Sequence, residues 1–229
     1  MSLRGAVVHA MHPILRRWYA WYGRSPRRHR YDGLDLIVLP GVFHPGLFFS
    51  TRVLTEHIVS MELRGRTFLD LGAGSGLVAL AAARMGANVT ASDIAPAAIR
   101  NLEQNSERND LPLHIVRSDL FAHLHERFDV IAINPPYYAK DPLSQADRAF
   151  FAGKDLDYFT CLFPALSDRV KSGTKVLMVL SGDLDLAPIA SRARQAGLQL
   201  VDVHRKKRWG EEQVIFDVVE LVPCTPERR

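Results

Sequence analysis

The sequence has few of the features that would place it in a membrane, secreted or metal-binding class. Its two cysteines, Cys161 and Cys224, lie far apart and outside any Cys-x-x-Cys or Cys/His cluster. This pattern favours free thiols in a reducing compartment and predicts no metal site. No apolar run approaches the roughly 18–20 residues that span a bilayer, and no signal peptide is predicted. We therefore expect a cytoplasmic protein without stable membrane insertion.

Acidic residues are missing from the first 31 positions, which form a basic arm. Seven arginines give this stretch a charge of +7, so the remaining chain carries 4 − 7 = −3. Apolar and aromatic residues between Leu3 and Tyr22 recur at helical spacing in spite of Pro13. Three interpretations stay open: a helix docked on the body, a contact for RNA or another anionic surface, or a partner-binding helix. An exposed basic linker over residues 24–30 is expected to follow.

The glycine-rich segment at residues 70–76, Asp-Leu-Gly-Ala-Gly-Ser-Gly, lacks two common nucleotide fingerprints. The dinucleotide pattern G-x-G-x-x-G needs a glycine where this chain has Leu77, and a Walker A loop needs Gly-Lys-Ser/Thr. Gly72, Gly74 and Gly76 instead follow a predicted strand with an acid near its end. Glycines there let the backbone approach a ligand closely and turn into a helix. A Rossmann dehydrogenase is therefore not supported.

Strands and helices alternate along most of the chain. A strand over residues 32–40 precedes a helix that Ser50 or Thr51 is predicted to cap and that runs to about Met61. The later strands are predicted at 67–71, 88–92, 113–117, 128–133, 175–180, 198–205 and 213–222, with helices at 77–84, 96–109, 156–171 and 184–196. Such alternation implies a mainly parallel sheet covered by helices on both faces. The short polar link before the last strand predicts a hairpin, with that strand antiparallel to its neighbour.

Three acidic residues, Asp70, Asp93 and Asp119, lie at or just after the ends of consecutive predicted strands. Each acid alone is more often a cap or a turn residue. The carboxyl ends of parallel strands meet at one edge of a sheet, where ligands bind, so the three together predict a single site. Asp93 can accept both hydroxyls of a ribose. Asp119, followed by Leu120, can accept an exocyclic adenine amine beside an apolar flank.

A fourth predicted strand ends at the tetrapeptide Asn134-Pro135-Pro136-Tyr137. Neither proline offers an N–H group to a neighbouring strand. The asparagine side chain adds an acceptor, and the tyrosine adds a flat apolar face. Taken alone, the tetrapeptide could be a proline-rich turn. Its place beside three cofactor-type strand ends favours a slot that accepts hydrogen bonds from a planar –NH2 group and covers that group with a ring.

Together these segments resemble the class I S-adenosylmethionine-dependent methyltransferases, and most of all the branch typified by the peptide release factor glutamine N5-methyltransferases. The matching segments are residues 70–76, 93–94, 118–121 and 134–137, and the resemblance extends over residues 45–222. It implies an α/β, Rossmann-like fold: a seven-stranded, mainly parallel sheet with a C-terminal antiparallel strand and helices on both faces. The implied domains are a basic arm at 1–31, a strand and lid helix at 32–63, and a catalytic methyltransferase domain at 64–225.

The resemblance also assigns roles to individual residues, with S-adenosylmethionine as the cofactor. The implied cofactor-binding residues are Thr51, Asp70, Gly72, Gly74, Asp93, Asp119, Leu120 and Asn134. The implied catalytic residues are Asn134, Pro135, Pro136 and Tyr137. The Asn134 side-chain oxygen and the Pro135 carbonyl would accept the two N–H groups of the acceptor nitrogen as positive charge develops there, while Tyr137 stacks on the planar group.

The identity of the methyl acceptor stays open at this point. The leading interpretation is a glutamine side-chain amide in a protein such as a release factor. The alternative is adenine N6 or guanine N2 in RNA or DNA, because a flipped base presents the same flat amine and the arm is basic. A third class is a cofactor-binding module without catalysis. Bacterial release-factor enzymes carry a separate helical domain ahead of the catalytic one, and 31 arm residues are too few for it. The oligomeric state is not predicted.

Overall fold

The computed structural model describes residues 24–143, 146–170, 173–208 and 210–221. The strands within them are β1 (Arg27–Tyr31), β2 (Leu34–Val38), β3 (Thr67–Leu71), β4 (Asn88–Asp93), β5 (His114–Arg117), β6 (Val130–Ile133), β7 (Lys175–Ser181), β8 (Leu198–Arg208) and β9 (Glu211–Glu220). The helices are α1 (Phe49–Val59), α2 (Leu77–Arg84), α3 (Pro96–Asn109), α4 (Asp157–Ser167) and α5 (Ala187–Gln195), with a short 3-10 helix at Ala146–Ala149. The amphipathic face predicted between Leu3 and Tyr22 lies outside the described residues.

Seven strands form one sheet in the order β5-β4-β3-β6-β7-β9-β8. The four pairings from β5 to β7 are parallel, whereas β9 runs antiparallel to both β7 and β8. The predicted sheet, mainly parallel with a C-terminal antiparallel strand, is therefore confirmed. The strand order reverses at β3, which has β4 on one side and β6 on the other. Ligands of open α/β sheets bind at such a reversal, beyond the carboxyl ends of the strands.

Two apolar cores cover the two faces of the sheet because successive side chains of a strand point to opposite faces. Leu69 and Ile131 pack with residues of α4 and α5. Phe68 and Ala132, their sequence neighbours, pack with residues of α1, α2 and α3. Helices on both faces were predicted, and these two cores confirm them. In the part of the chain that the structure describes, no helix is both long and apolar enough to span a bilayer.

The basic residues 27–30, predicted as an exposed linker, lie in a strand instead. β1 pairs antiparallel with β2 in a separate hairpin. Arg28 Nε donates to Asp35 Oδ1 at 2.7 Å, and Arg108 of α3 donates to Asp35 Oδ2, also at 2.7 Å. These bonds lower the pKa of the Asp35 carboxyl. The linker prediction was wrong because these residues pair with a second strand, on which Asp35 forms ion pairs with Arg28 and Arg30.

Three asparagines attach this hairpin to α3, where a four-residue spacing places them on one face of the helix. The side-chain oxygens of Asn109, Asn105 and Asn101 accept the backbone N–H groups of Asp35, Ile37 and Leu39, at 2.8, 2.8 and 2.9 Å. The backbone N–H groups along this edge of β2 thus bond to side chains of a helix rather than to another strand. No local sequence pattern indicates this ladder, because its partners are more than 60 residues apart in the chain.

Replacing Asn105 with alanine should lower the free energy of unfolding by about 2–3 kcal/mol, measured by urea denaturation. Asn105 is fully buried and also donates to the carbonyl oxygens of Ile37 and Ser75, both at 2.9 Å. Its removal leaves several backbone groups without partners. Glu103→Ala, an exposed change on the same helix, is the control and should stay within about 0.5 kcal/mol. Equal effects of the two changes would contradict the anchoring role.

Candidate active site

Three predicted site residues are brought together at one edge of the sheet by the strand register. Leu71, the last residue of β3, pairs with Ser92 of β4 and with Ile133 of β6. The residues that follow these three, Gly72, Asp93 and Asn134, therefore occupy neighbouring positions around the strand reversal. They come from segments far apart in the chain, and all three line one cavity of about 400 Å³. A cavity of this size falls within the range of small-molecule sites.

The glycine segment turns from β3 into α2 in a backbone conformation that favours glycine. Gly72 has φ +77°, and a Cβ added there would meet no protein atom within 4 Å, so the adjoining space is free for a ligand. Gly76 has φ +85°, and a Cβ there would lie 2.8 Å from Leu102. The N–H groups of Gly72 and Ala73 both donate to the Ser92 carbonyl. The segment is therefore fixed to β4 and leaves a cradle beside Gly72.

The Asp93 carboxylate is bound by the backbone around it. Its Oδ2 accepts the N–H of Gly74 at 3.0 Å, and its Oδ1 accepts the N–H of Ala95 at 2.8 Å. Burial raises the pKa of Asp93, and these backbone hydrogen bonds oppose the rise. Each oxygen keeps further acceptor capacity. Asp93 can therefore hold the glycine segment in place and still accept hydroxyl groups of a ligand in the cavity.

Asp70 lies beneath the glycine segment as a buried carboxyl with 3% of its surface exposed. Its Oδ2 accepts the N–H of Ala79 in α2 at 2.9 Å. Burial raises the pKa of Asp70 to about 7, and the charge of Asp93 adds to the rise. The residue also lines the cavity. At neutral pH this carboxyl is therefore close to the midpoint between its protonated and charged forms.

A pH dependence of stability follows from Asp70. The folded carboxyl keeps its proton up to about pH 7, whereas an unfolded one releases it near pH 4. The stabilisation that Asp70 provides is complete below pH 4, so the free energy of unfolding should fall as pH rises from 4 to 7. Asp70→Asn lacks this pH dependence. Between pH 4 and pH 8 its free energy of unfolding should therefore rise by on the order of 2–4 kcal/mol relative to that of wild type. Urea denaturation at both pH values measures this difference, and equal pH dependence of unfolding in wild type and variant would contradict the prediction.

Asn134 is oriented by Thr51 of α1. Asn134 Nδ2 donates to Thr51 Oγ1 at 3.0 Å. Thr51 was predicted to contact the cofactor, and that role stays a prediction; the structure adds a contact with Asn134. The prediction that Ser50 or Thr51 caps the helix was wrong, since Phe48 occupies the N-cap position without a side-chain cap bond. Both hydroxyl residues lie in the buried first turn of α1 and line the cavity.

Tyr137 lies at the other end of the tetrapeptide and lines the cavity. Burial raises the pKa of its hydroxyl, which keeps it protonated. The ring of Tyr138 lies 5.0 Å from that of Tyr137 at 58° and is half exposed. Tyr137 and the residue after it thus place one partly buried ring and one half-exposed ring at the cavity.

Asp119 and Leu120, the residues predicted to bind the adenine ring, line the same cavity. Leu120 has φ +45°, and its carbonyl accepts the hydroxyl of Ser118 at 2.9 Å. Asp119 precedes it in this turn. Tyr158 of α4 also lines the cavity and was missed from sequence; burial raises its pKa, as do the charges of Asp93 and Asp119. Its ring therefore lines the same cavity as both of the acids that were predicted to bind the nucleoside.

An aromatic wall was also missed. Phe43 and Phe48 stack at 4.5 Å, and the ring of Phe150 lies 5.4 and 5.1 Å from them. All three line the cavity. They come from segments more than a hundred residues apart without helical or strand periodicity, so no local pattern marks them. The wall, the acid at Asp93 and the cradle at Gly72 together fit a nucleoside-bearing cofactor with an apolar part.

Comparisons with known proteins agree with this geometry. The chain matches the family of the methyltransferase small domain over residues 33–155. A candidate protein N5-glutamine methyltransferase of Methanocaldococcus jannaschii is 31% identical over an alignment of 199 residues that covers 83% of this chain and 98% of that protein. The release factor glutamine methyltransferase of Geobacter sulfurreducens is 30% identical over an alignment of 161 residues that covers 65% of this chain and 56% of that protein.

A solved structure is similar as well. The T. thermophilus 16S rRNA N2 G1207 methyltransferase, in complex with AdoMet and guanosine, gives a TM-score of 0.61 at 26% identity, over 85% of this chain and 50% of that one. The chain thus spans nearly all of the archaeal relative but about half of the two bacterial proteins. Its fold, its site and these relatives lead to one conclusion: the chain belongs to the methyltransferase small-domain family and is an S-adenosylmethionine-dependent methyltransferase.

Proposed function

We propose that the protein transfers the methyl group to the side-chain amide nitrogen of a glutamine in a protein substrate. The hydrogen bond from Asn134 Nδ2 to Thr51 Oγ1 carries this proposal. It engages the donor end of the Asn134 amide, so the acceptor end, Oδ1, is the side-chain atom left for a ligand in the cavity. A slot that offers acceptors suits an acceptor group with two N–H bonds, such as a primary amide.

The residues of the slot account for the chemistry. An amide nitrogen is a weak nucleophile because its lone pair is delocalised into the carbonyl group. S-adenosylmethionine, when bound, supplies an electrophilic methyl group on a sulfonium. Asn134 Oδ1 and the Pro135 carbonyl would accept the two N–H groups and stabilise the positive charge that develops on nitrogen. The Tyr137 ring would cover the planar group, and fixing the nitrogen beside the cofactor site lowers the entropy cost of the reaction.

A planar nitrogen of a nucleic-acid base is the second candidate. Its support is the T. thermophilus structure, a 16S rRNA N2 G1207 methyltransferase with guanosine bound. Basic residues in β1 and at the end of β8 could contact phosphates. Several of these cations already have acidic partners, however: Arg28 pairs with Asp35, and Lys206 with Glu56. Together with the near full-length match to the archaeal relative, this favours the protein substrate.

The acceptor can be tested with methyl-labelled S-adenosylmethionine offered to two substrates in parallel. One is a protein segment containing Gly-Gly-Gln, with a Gly-Gly-Asn version as its matched control; the other is RNA. We expect label in the glutamine segment alone. Label in RNA that declines with salt would support the second candidate instead. No label in either substrate, with cofactor binding intact, would favour a module without catalysis.

A further inference from the structure

Two large apolar side chains are exposed at the mouth of the cavity. Leu143 has 77% of its surface exposed and Tyr138 has 48%, the two highest values among the large hydrophobic residues that the structure describes. Single exposed apolar residues are common on soluble proteins and need no explanation. These two lie at one place, however, because Tyr138 lines the cavity and Leu143 directly follows Pro142, which also lines it. Tyr138 and Leu143 together form what we call the apolar rim.

The backbone that carries the apolar rim is fixed on both sides. Tyr138 donates its N–H to the Phe150 carbonyl at 3.1 Å and accepts the N–H of Ala152 at 2.9 Å. The N–H of Leu143 donates to Asp147 Oδ2 at 3.1 Å. Both rim residues therefore have defined backbone positions, while their side chains stay exposed to solvent.

The charges around the apolar rim do not favour a nucleic acid. Residues 138–157 carry three basic and four acidic side chains, a net charge of 3 − 4 = −1. One of the basic groups, Lys140, lies over the ring of Phe151, with its Nζ 5.1 Å from the ring centre. A surface that binds nucleic acid needs an excess of positive charge facing the phosphates. An apolar rim with nearly balanced charge fits a segment of protein instead.

A substrate chain would meet the apolar rim whenever its glutamine enters the cavity. Tyr138 directly follows the tetrapeptide, and its ring lies 5.0 Å from that of Tyr137. The methylene stem of a glutamine side chain is short. When its amide reaches Asn134, the residues beside the glutamine therefore have to lie at the mouth of the cavity. An apolar residue among them would cover surface of Leu143 that is otherwise exposed to water.

We propose that Tyr138 and Leu143 bind the substrate chain beside the acceptor glutamine and that Leu143 selects an apolar residue there. The inference deepens the function proposed above and rests on it, since it assumes that the acceptor belongs to a protein. Burial of the apolar rim against such a residue stabilises the complex. The contact is the same before and during methyl transfer, so it lowers KM and leaves kcat unchanged.

The test compares two protein segments, one with leucines on both sides of Gly-Gly-Gln and one with serines there. For wild type we expect a KM about 3–10-fold lower for the leucine segment. Leu143→Ser should raise that KM by about the same factor and change the KM of the serine segment by less than about twofold. Its kcat and melting temperature should match those of wild type, because the side chain is exposed. Equal KM values of wild type for the two segments, or of wild type and Leu143→Ser for the leucine segment, would overturn the inference.

A matched control comes from another exposed apolar residue. Val201 is 42% exposed and lies on β8, the outermost strand of the sheet. Val201→Ser should leave the KM for both segments within about twofold of wild type. A rise equal to that in Leu143→Ser would show a general effect of polar substitution and contradict the inference.

Tyr138 is tested by two substitutions of its ring. Tyr138→Ser removes the ring and should raise the KM for both segments by about 3–10-fold. Tyr138→Phe retains the ring and should leave both KM values within about twofold of wild type. An unchanged KM in Tyr138→Ser would overturn the role proposed for this residue.

A binding measurement separates the apolar rim from the acceptor nitrogen. Fluorescence anisotropy follows the dye-labelled leucine segment as it binds protein saturated with S-adenosylhomocysteine, so that no methyl group is transferred. Binding that Leu143→Ser weakens, without methylation of the segment by wild type, would support the rim and contradict the proposed acceptor. Methylation and binding that Leu143→Ser leaves unchanged would support the proposed acceptor and overturn the inference. Absence of binding, with label entering RNA, would overturn both.

Discussion

Replacing Asn134 with alanine is expected to lower the rate of methyl transfer by about 10²–10³-fold, the scale for losing one preorganised group that stabilises developing charge. The affinity for S-adenosylmethionine should stay near that of wild type. In the structure the Asn134 amide is fixed by Thr51 at 3.0 Å, so its oxygen is oriented before an acceptor binds. Single-turnover transfer of labelled methyl groups and calorimetry of cofactor binding measure the two quantities separately.

Thr51→Val provides the matched variant for this prediction. Valine has the same shape as threonine but offers no acceptor to Asn134 Nδ2, so Asn134 stays present without its orienting partner. We expect transfer to fall by about tenfold, less than in Asn134→Ala. Full activity of Asn134→Ala on the true substrate would show that the slot is assigned to the wrong residues.

Replacing Asp93 with alanine is expected to weaken S-adenosylmethionine binding by about 10–100-fold, which corresponds to about 1–3 kcal/mol for hydrogen bonds to a charged group. Two effects add. The variant loses the carboxylate that would accept the ribose hydroxyls, and it releases the N–H of Gly74, which Asp93 Oδ2 accepts at 3.0 Å. Titration calorimetry with the cofactor measures the change.

Two further variants make the Asp93 result specific. Asp93→Asn keeps one oxygen and should lose less affinity than Asp93→Ala. Asp168→Ala removes an exposed acid at the end of α4, so it changes the net charge equally and should leave binding within about twofold. Cofactor affinity in Asp93→Ala equal to that of wild type would rule out the ribose role.

Much of the core could be predicted because its signals are local. The glycine segment needs positive φ angles, and Gly72, Gly74 and Gly76 adopt them. The strand predicted at 67–71 and the helices predicted at 77–84 and 96–109 have the observed bounds, since apolar patterning and breakers such as Pro96 act within a few residues. The cavity-lining positions of Asp93 and Asn134 followed from the rule that ligands bind beyond the carboxyl ends of parallel strands.

Where prediction failed, a distant partner had overridden a local rule. The basic run at 27–30 forms β1 because it pairs with β2, whose Asp35 binds Arg28 and whose backbone is held by asparagines of α3. The hydroxyls of Ser50 and Thr51 matched a helix cap, but both residues line the cavity, and the Thr51 hydroxyl accepts a hydrogen bond from Asn134. The same hydroxyl residues at the start of a helix fit either a capping role or a role in a site. Only the position of a neighbouring helix or strand in the folded protein distinguishes the two roles.

The sequence by itself therefore determined the parallel α/β core and placed the glycine loop and the Asn-Pro-Pro-Tyr tetrapeptide at the edge of the sheet where both line the cavity. Only the tertiary structure decided how that tetrapeptide is held. Asn134 is bound by Thr51, which lies 83 residues away in the chain. The reason is physical: periodicity and turn chemistry act over a few residues, whereas the orientation of Asn134 depends on a side chain that it meets only when the chain has folded.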